Sequence, residues 1–124
     1  MSISRLLAWD ETWPVLTLKG EGSRSFLNGQ TTAEVFNIED GTIFTTFWLT
    51  TQAYVRALLE IRLNQDSAEI IVISGDISDL EKEFEKVIFP ADNVHIEPIC
   101  WLRRVQVLAP EEQIKFKEVV WLEQ

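Results

Sequence analysis

The chain has 124 residues, 46% of them hydrophobic, which is enough for one domain burying about two thirds of the surface its unfolded form exposes. Its formal charge of −9 repels phosphate backbones and anionic lipid surfaces, so neither nucleic acid nor a membrane is an expected partner. The single cysteine, Cys100, excludes an internal disulfide, and no Cys-x-x-Cys pair or Cys/His cluster offers a metal site, which fits a reducing, cytoplasmic setting.

Along the chain, Leu6-Leu7-Ala8-Trp9 is too short for a signal-peptide core, and no apolar run approaches the ~20 residues that span a bilayer. Val15-Leu16-Thr17-Leu18 reads as a short strand. Gly20-Glu21-Gly22-Ser23 reads as a turn with Ser23 as N-cap, followed by a helix through Phe26 and Leu27 that stops at a left-handed Gly29. From Thr42 to Leu49, β-branched and aromatic residues recur at period two with both faces at least partly covered, which predicts a second strand. A third places Val55, Ala57, Leu59, Ile61 and Leu63 on an apolar face and Tyr54, Arg56, Leu58, Glu60 and Arg62 on the other, as in an antiparallel hairpin.

Glu69-Ile70-Ile71-Val72-Ile73 is short and almost continuously apolar, as a buried central strand would be. Ile77, Leu80, Phe84, Val87 and Ile88 then recur at helical spacing, with Glu81, Lys82, Glu83, Glu85 and Lys86 on a solvated face. Pro90 closes that helix, and Asn93 to Glu97 reads as another strand ended by Pro98. Val105 to Glu111 with Phe116 echoes Val15 to Glu21 with Phe26 at a constant offset, which predicts a second strand, turn and helix start. The fold class expected is α+β: an antiparallel-rich sheet of about five strands with two helices on one face, built from ferredoxin-like β-α-β elements.

Few residues offer chemistry. His95 is the sole histidine and sits on a short strand, the doublet Arg103-Arg104 suits a salt-bridged strand end, and Cys100 reads as a small buried residue. No Ser/His/Asp order, phosphate-cradling glycine loop or helical pair of metal ligands can be assembled.

The stretch from Leu18 to Val35 resembles the opening motif of the folate-binding T-protein/YgfZ family, approximately a strand, Lys/Ser-Gly, an acidic and a small residue, then Phe-Leu-Gln-Gly-Gln-x-Thr-x-Asp-Val. Gly20, Phe26, Leu27, Gly29, Gln30, Thr32 and Val35 match in order, with Asn28 for the usual glutamine and Glu34 for the usual aspartate. On physical grounds alone, Phe26 and Leu27 would plug the helix into the sheet, and Gln30 and Thr32 would bond loose backbone groups. Leu49 to Leu59 resembles the family's hairpin, but Ala53 replaces its turn glycine and Leu58 its acidic position. Ser74 stands where the family commonly has an asparagine amide.

The resemblance implies a single folate-binding-like domain over residues 1–124, with 13–98 carrying the main likeness and 99–124 starting a second, truncated half. By resemblance the ligand-binding positions are Gln30, Thr32, Leu58 and Ser74. A leucine cannot accept a proton, so the expectation is a non-catalytic accessory or protein-interaction module with no cofactor and no metal. The alternative is an aminomethyltransferase-like, tetrahydrofolate-binding accessory protein in iron–sulfur-cluster maintenance or one-carbon metabolism. Five tryptophans are more than one core usually holds, and the apolar tail predicts a homodimer or partner interface through Trp101, Phe116 and Trp121.

Overall fold

The computed structural model describes residues 7–50, 52–109 and 116–123. Two compact units emerge, one spanning Val15–Cys100 and the other formed by the described parts of Met1–Pro14 and Trp101–Gln124. Strand β1 (Leu7–Lys19) contributes to both. It is longer than the predicted 15–18 strand because Trp9, Thr12 and Trp13 are themselves strand formers, and Pro14 is tolerated within it.

In the larger unit, α1 (Ser23–Gln30), β2 (Ile43–Leu49), β3 (Val55–Leu63), β4 (Ser67–Ser74), α2 (Ile77–Val87) and β5 (His95–Ile96) follow β1. The strands lie in the order β2-β3-β4-β1-β5, and every pairing is antiparallel. Strand β4 is central, as its apolar run predicts, with Ile70 paired to Leu16 on one side and to Ile61 on the other. The 93–97 strand shrinks to His95–Ile96, against Leu18 and Lys19.

Both helices cover one face of this sheet. Leu16 and Leu18, Ala57, Leu59, Ile61 and Leu63, and Ala68 and Ile70 form one core cluster with Phe26 and Leu27 of α1 and Leu80 and Phe84 of α2. Phe84 is fully buried, its ring edge-on to Phe26 at 5.0 Å and to Trp48 at 5.8 Å between centroids. Asp76 caps α2 by accepting a bond from the Ser78 amide at 2.9 Å.

Several local expectations are corrected. The N-cap of α1 is Gly22, not Ser23; the Ser23 hydroxyl is buried and donates to the Gly20 carbonyl at 2.8 Å. Gly29 lies inside the helix without a positive φ, and the helix ends on Thr31, whose amide bonds the Leu27 carbonyl in an extended conformation. Strand β2 buries one face, through Thr46 and Trp48, and leaves Thr45 and Phe47 exposed, because the helices cover only that side.

Arg56 leaves the polar face assigned to it. A register shift pairs Leu49 with Val55 and Trp48 with Ala57, so Arg56 is an extra residue that the bulge turns toward the helices. Its guanidinium lies 4.3 Å from the centroid of the Trp48 ring and bonds Asp79 of α2 at 2.7 Å.

In the smaller unit, the Leu7–Pro14 part of β1 neighbours β6 (Cys100–Ala109), which pairs antiparallel with β7 (Phe116–Glu123). The helix start predicted at Phe116 is therefore a strand. The register runs from Leu102↔Glu123 to Ala109↔Phe116, and Val119-Val120-Trp121 is β-branched and aromatic material that a sheet accommodates better than a helix. Pro110 and Glu111, the rest of the predicted turn, lie outside the described residues. Cys100 is exposed rather than buried, since β6 starts there at the unit's margin.

Candidate functional site

The motif residues from Gly20 to Val35 form a locked turn, helix and loop. A Cβ on Gly20 would sit 2.1 Å from the Asn93 carbonyl oxygen, and one on Gly22 would sit 1.6 Å from that of Asp92. Only glycine lets the chain after α2 pass this close, and the Gly22 amide then donates to the Asn93 carbonyl at 3.0 Å. On the other side of α1, Arg24 donates to the carbonyls of Val35 (2.9 Å) and Ile38 (2.7 Å) and pairs with Asp40, while the Asn28 side chain accepts from the Val35 amide at 3.3 Å. Glu34 is exposed and makes no side-chain cap.

Thr32 sits at the outer edge of β2. Its hydroxyl accepts from the Phe47 amide at 3.2 Å and meets the Thr46 hydroxyl at 3.0 Å, so it satisfies strand-edge groups as its residue type suggests. Gln30, at the end of α1, makes no such bond among the described residues. It lines two adjoining clefts together with Gly29.

Leu58 and Ser74 lie elsewhere. They are register partners on β3 and β4, and Leu58 is opposite Phe47, whereas Thr46 pairs with Leu59 on the helix-covered face. The alternation of strand side chains therefore puts Leu58 on the face away from the helices. Leu58 and Ser74 are thus brought together in one row with Phe47, which Thr32 joins through its backbone bond to the Phe47 carbonyl, while Gln30 lies at the clefts beside the end of α1.

The larger cleft was not legible in the sequence. It encloses about 510 Å³ between α1 and the loop that follows α2, against Ser25, Phe26, Gln30, Phe89 and Asn93 among others. The smaller, about 260 Å³, lies between the end of α1 and the turn joining β2 to β3, where Thr50 and Ala53 line it. Ala53 holds φ 66°, the left-handed value that the family's glycine would take more easily. Among the described residues, Asp92 is the one ionisable group on either cleft, and its carboxylate already accepts from the Phe89 amide at 2.7 Å. Among the described residues, no second ionisable group lines either cleft, and no group of three or more metal-ligating side chains occurs.

Of the other candidates, His95 is exposed, 3.5 Å from Glu97. Arg103 holds Asp10 through two hydrogen bonds, the first at 2.7 Å, and this depresses the Asp10 carboxyl below its usual range and raises Arg103. Arg104 is largely buried and donates to Gln106 at 3.1 Å. Trp101 is 57% exposed, whereas Trp121 is only 5% exposed and is no free anchor; the Phe116 side chain lies outside the described residues.

Among solved structures the chain is similar to the glycine cleavage system aminomethyltransferase T from Bartonella henselae, with a TM-score of 0.66 over 82% of this chain at 15% identity. The fold is T-protein-like. The chain spans about 29% of that protein's length. No family model matches the sequence, and no curated protein matches it. In this chain the turn, helix and loop of the motif from Leu18 to Val35 follow directly on β1. No helix among the described residues is long and apolar enough to cross a membrane.

Proposed function

We propose that this chain is a non-catalytic folate-binding-fold domain, related to the T-protein/YgfZ family, that works as a cytoplasmic accessory or protein-interaction module. The observation that carries this reading is the row across the sheet from Thr32 through Phe47 and Leu58 to Ser74. The site inferred by resemblance holds a leucine where proton transfer needs a carboxylate, and no other titratable side chain stands in that row. A T-protein-like chemistry on a folate adduct has no acid or base there.

The module needs a surface by which to act. Trp101, exposed with Leu122 and Val120 in the smaller unit, offers an aromatic anchor of the kind enriched at interfaces. The alternative function, tetrahydrofolate binding without catalysis in one-carbon or iron–sulfur metabolism, is favoured by the fold and by the Gln30 amide, which has no side-chain hydrogen bond among the described residues.

Isothermal titration with tetrahydrofolate separates the two. The expected result is no saturable heat at about 0.1 mM, a dissociation constant weaker than that corresponding to roughly −5 kcal/mol. Binding at micromolar concentration or tighter, abolished by Gln30→Ala, would overturn the accessory reading and establish the folate-binding one.

A further inference from the structure

The two faces of the sheet in the smaller unit differ. Along β6 burial alternates: Leu102 and Arg104 are buried, whereas Trp101 and Arg103 are exposed. The register carries the alternation across to β7, where Trp121, opposite Arg104, is buried, and Leu122 and Val120, opposite Arg103 and Val105, are exposed. Arg103 donates to Asp10 of β1 from Nε at 2.7 Å and from one terminal nitrogen, so both side chains stand on the open face. That face therefore sets Trp101, Val105, Val120 and Leu122 around an arginine–carboxylate pair, and the register pair of Val107 with Glu118 ends the patch. Both members of the ion pair are about half exposed, so it contributes little to folding. Its bonding capacity is not exhausted: the second terminal nitrogen of Arg103 bonds nothing among the described residues, and the Asp10 carboxylate keeps further lone pairs.

We propose that this open face docks a second copy of the chain across a two-fold axis running along the strands between Arg103 and Asp10, so that each Arg103 bridges its own Asp10 and the Asp10 of the second copy. Charge selects this occupant. With a charge of −9, two copies repel unless they meet where charge is balanced, and on this patch one cation stands beside one anion. Turned over about such an axis, the pair brings opposite charges into register, whereas a strongly acidic or strongly basic partner would be repelled by one of the two. Trp101 and Leu122 flank the pair and exclude water from it, and the same patch on both copies gives a closed, isologous contact. The proposal rests on the reading of this chain as an interaction module, whose own failure would appear as tetrahydrofolate binding and not as a single-copy mass.

The test is sedimentation equilibrium of the full chain and of two charge-swapped variants, Arg103→Asp and Asp10→Arg. The parent chain is expected to reach a mass of two copies as concentration rises. Each variant alone carries like charges on the face and should associate at least about tenfold more weakly. An equimolar mixture of the two should recover the two-copy mass, since an acidic face then meets a basic one. Leu122→Ser, outside the ion pair, should weaken association about fivefold or more with cooperative unfolding retained, and it serves as the readout where a swap unfolds the smaller unit. A parent chain of one copy at every concentration would give the face to a different protein or to none and overturn the proposal. Association unchanged by the variants, or absent from the mixture of folded variants, would overturn it equally.

Discussion

Three glycines in one motif do different work, and substitution separates them. Gly20 has φ +128° and the Asn93 carbonyl against it, so Gly20→Ala combines backbone strain with a clash against main chain that cannot swing aside. We expect a loss of about 3 kcal/mol or more in urea denaturation. Gly29 faces open space inside an eight-residue helix, so Gly29→Ala should raise stability by ~0.5–1 kcal/mol through helix propensity. Equal effects at the two positions would contradict this division. At Asp10, the Arg103 hydrogen bond, opposed by desolvation and aided by the smaller effect of the Arg103 charge, keeps the carboxylate ionised to lower pH than the ordinary 3.8. A depressed folded-state value stabilises above the unfolded pKa and loses that contribution as pH falls through the folded value, so the effect is confined to the acid side. The carboxyl-carbon shift of Asp10 should titrate at higher pH in Arg103→Gln than in the parent chain.

At the scale of elements, the β3 bulge decides what holds α2. Without the extra residue, Arg56 would alternate onto the face of Leu58; with it, the guanidinium reaches Trp48, Asp79 and, at 3.8 Å, Glu83. The ion pairs are about one third exposed, which limits them to a fraction of a kcal/mol, and the remainder comes from stacking on the indole. Arg56→Ala should cost about 1–2 kcal/mol. In a double-mutant cycle with Asp79→Ala the coupling should stay below about 1 kcal/mol. A coupling as large as the whole Arg56 effect would mean that charge, not stacking, secures the helix.

For the whole molecule, the open question of partners has a direct measurement. The homodimer expected through Trp101, Phe116 and Trp121 would have to use Trp101 with Val120 and Leu122, since Trp121 is buried within the chain. Light scattering should give a mass near twice 14.3 kDa at high concentration. Trp101→Glu should return it to one copy without loss of cooperative unfolding, because an exposed ring contributes little to the folded chain. A single copy at every concentration would remove self-association from the accessory reading and leave a different protein as the partner.

The amino-acid sequence by itself determined the elements whose period is strong and whose neighbours are local. The period-two run of β3, the apolar run of β4 and the helical spacing of Leu80 and Phe84 each reach the observed element, and the motif from Leu18 to Val35 reaches the T-protein-like fold. Tertiary structure decided the rest. Phe116 to Glu123 has no periodicity that excludes a helix start, and it becomes a strand by pairing residue for residue with β6. Arg56 changes face through one inserted residue, which no period reveals. The placing of Leu58 and Ser74 on the face away from the helices depends on strand register, a non-local property in which a shift of one residue exchanges the two faces. The Phe89 cleft exists because Gly20 and Gly22 admit a backbone some seventy residues further along the chain, a contact between segments that sequence proximity does not encode.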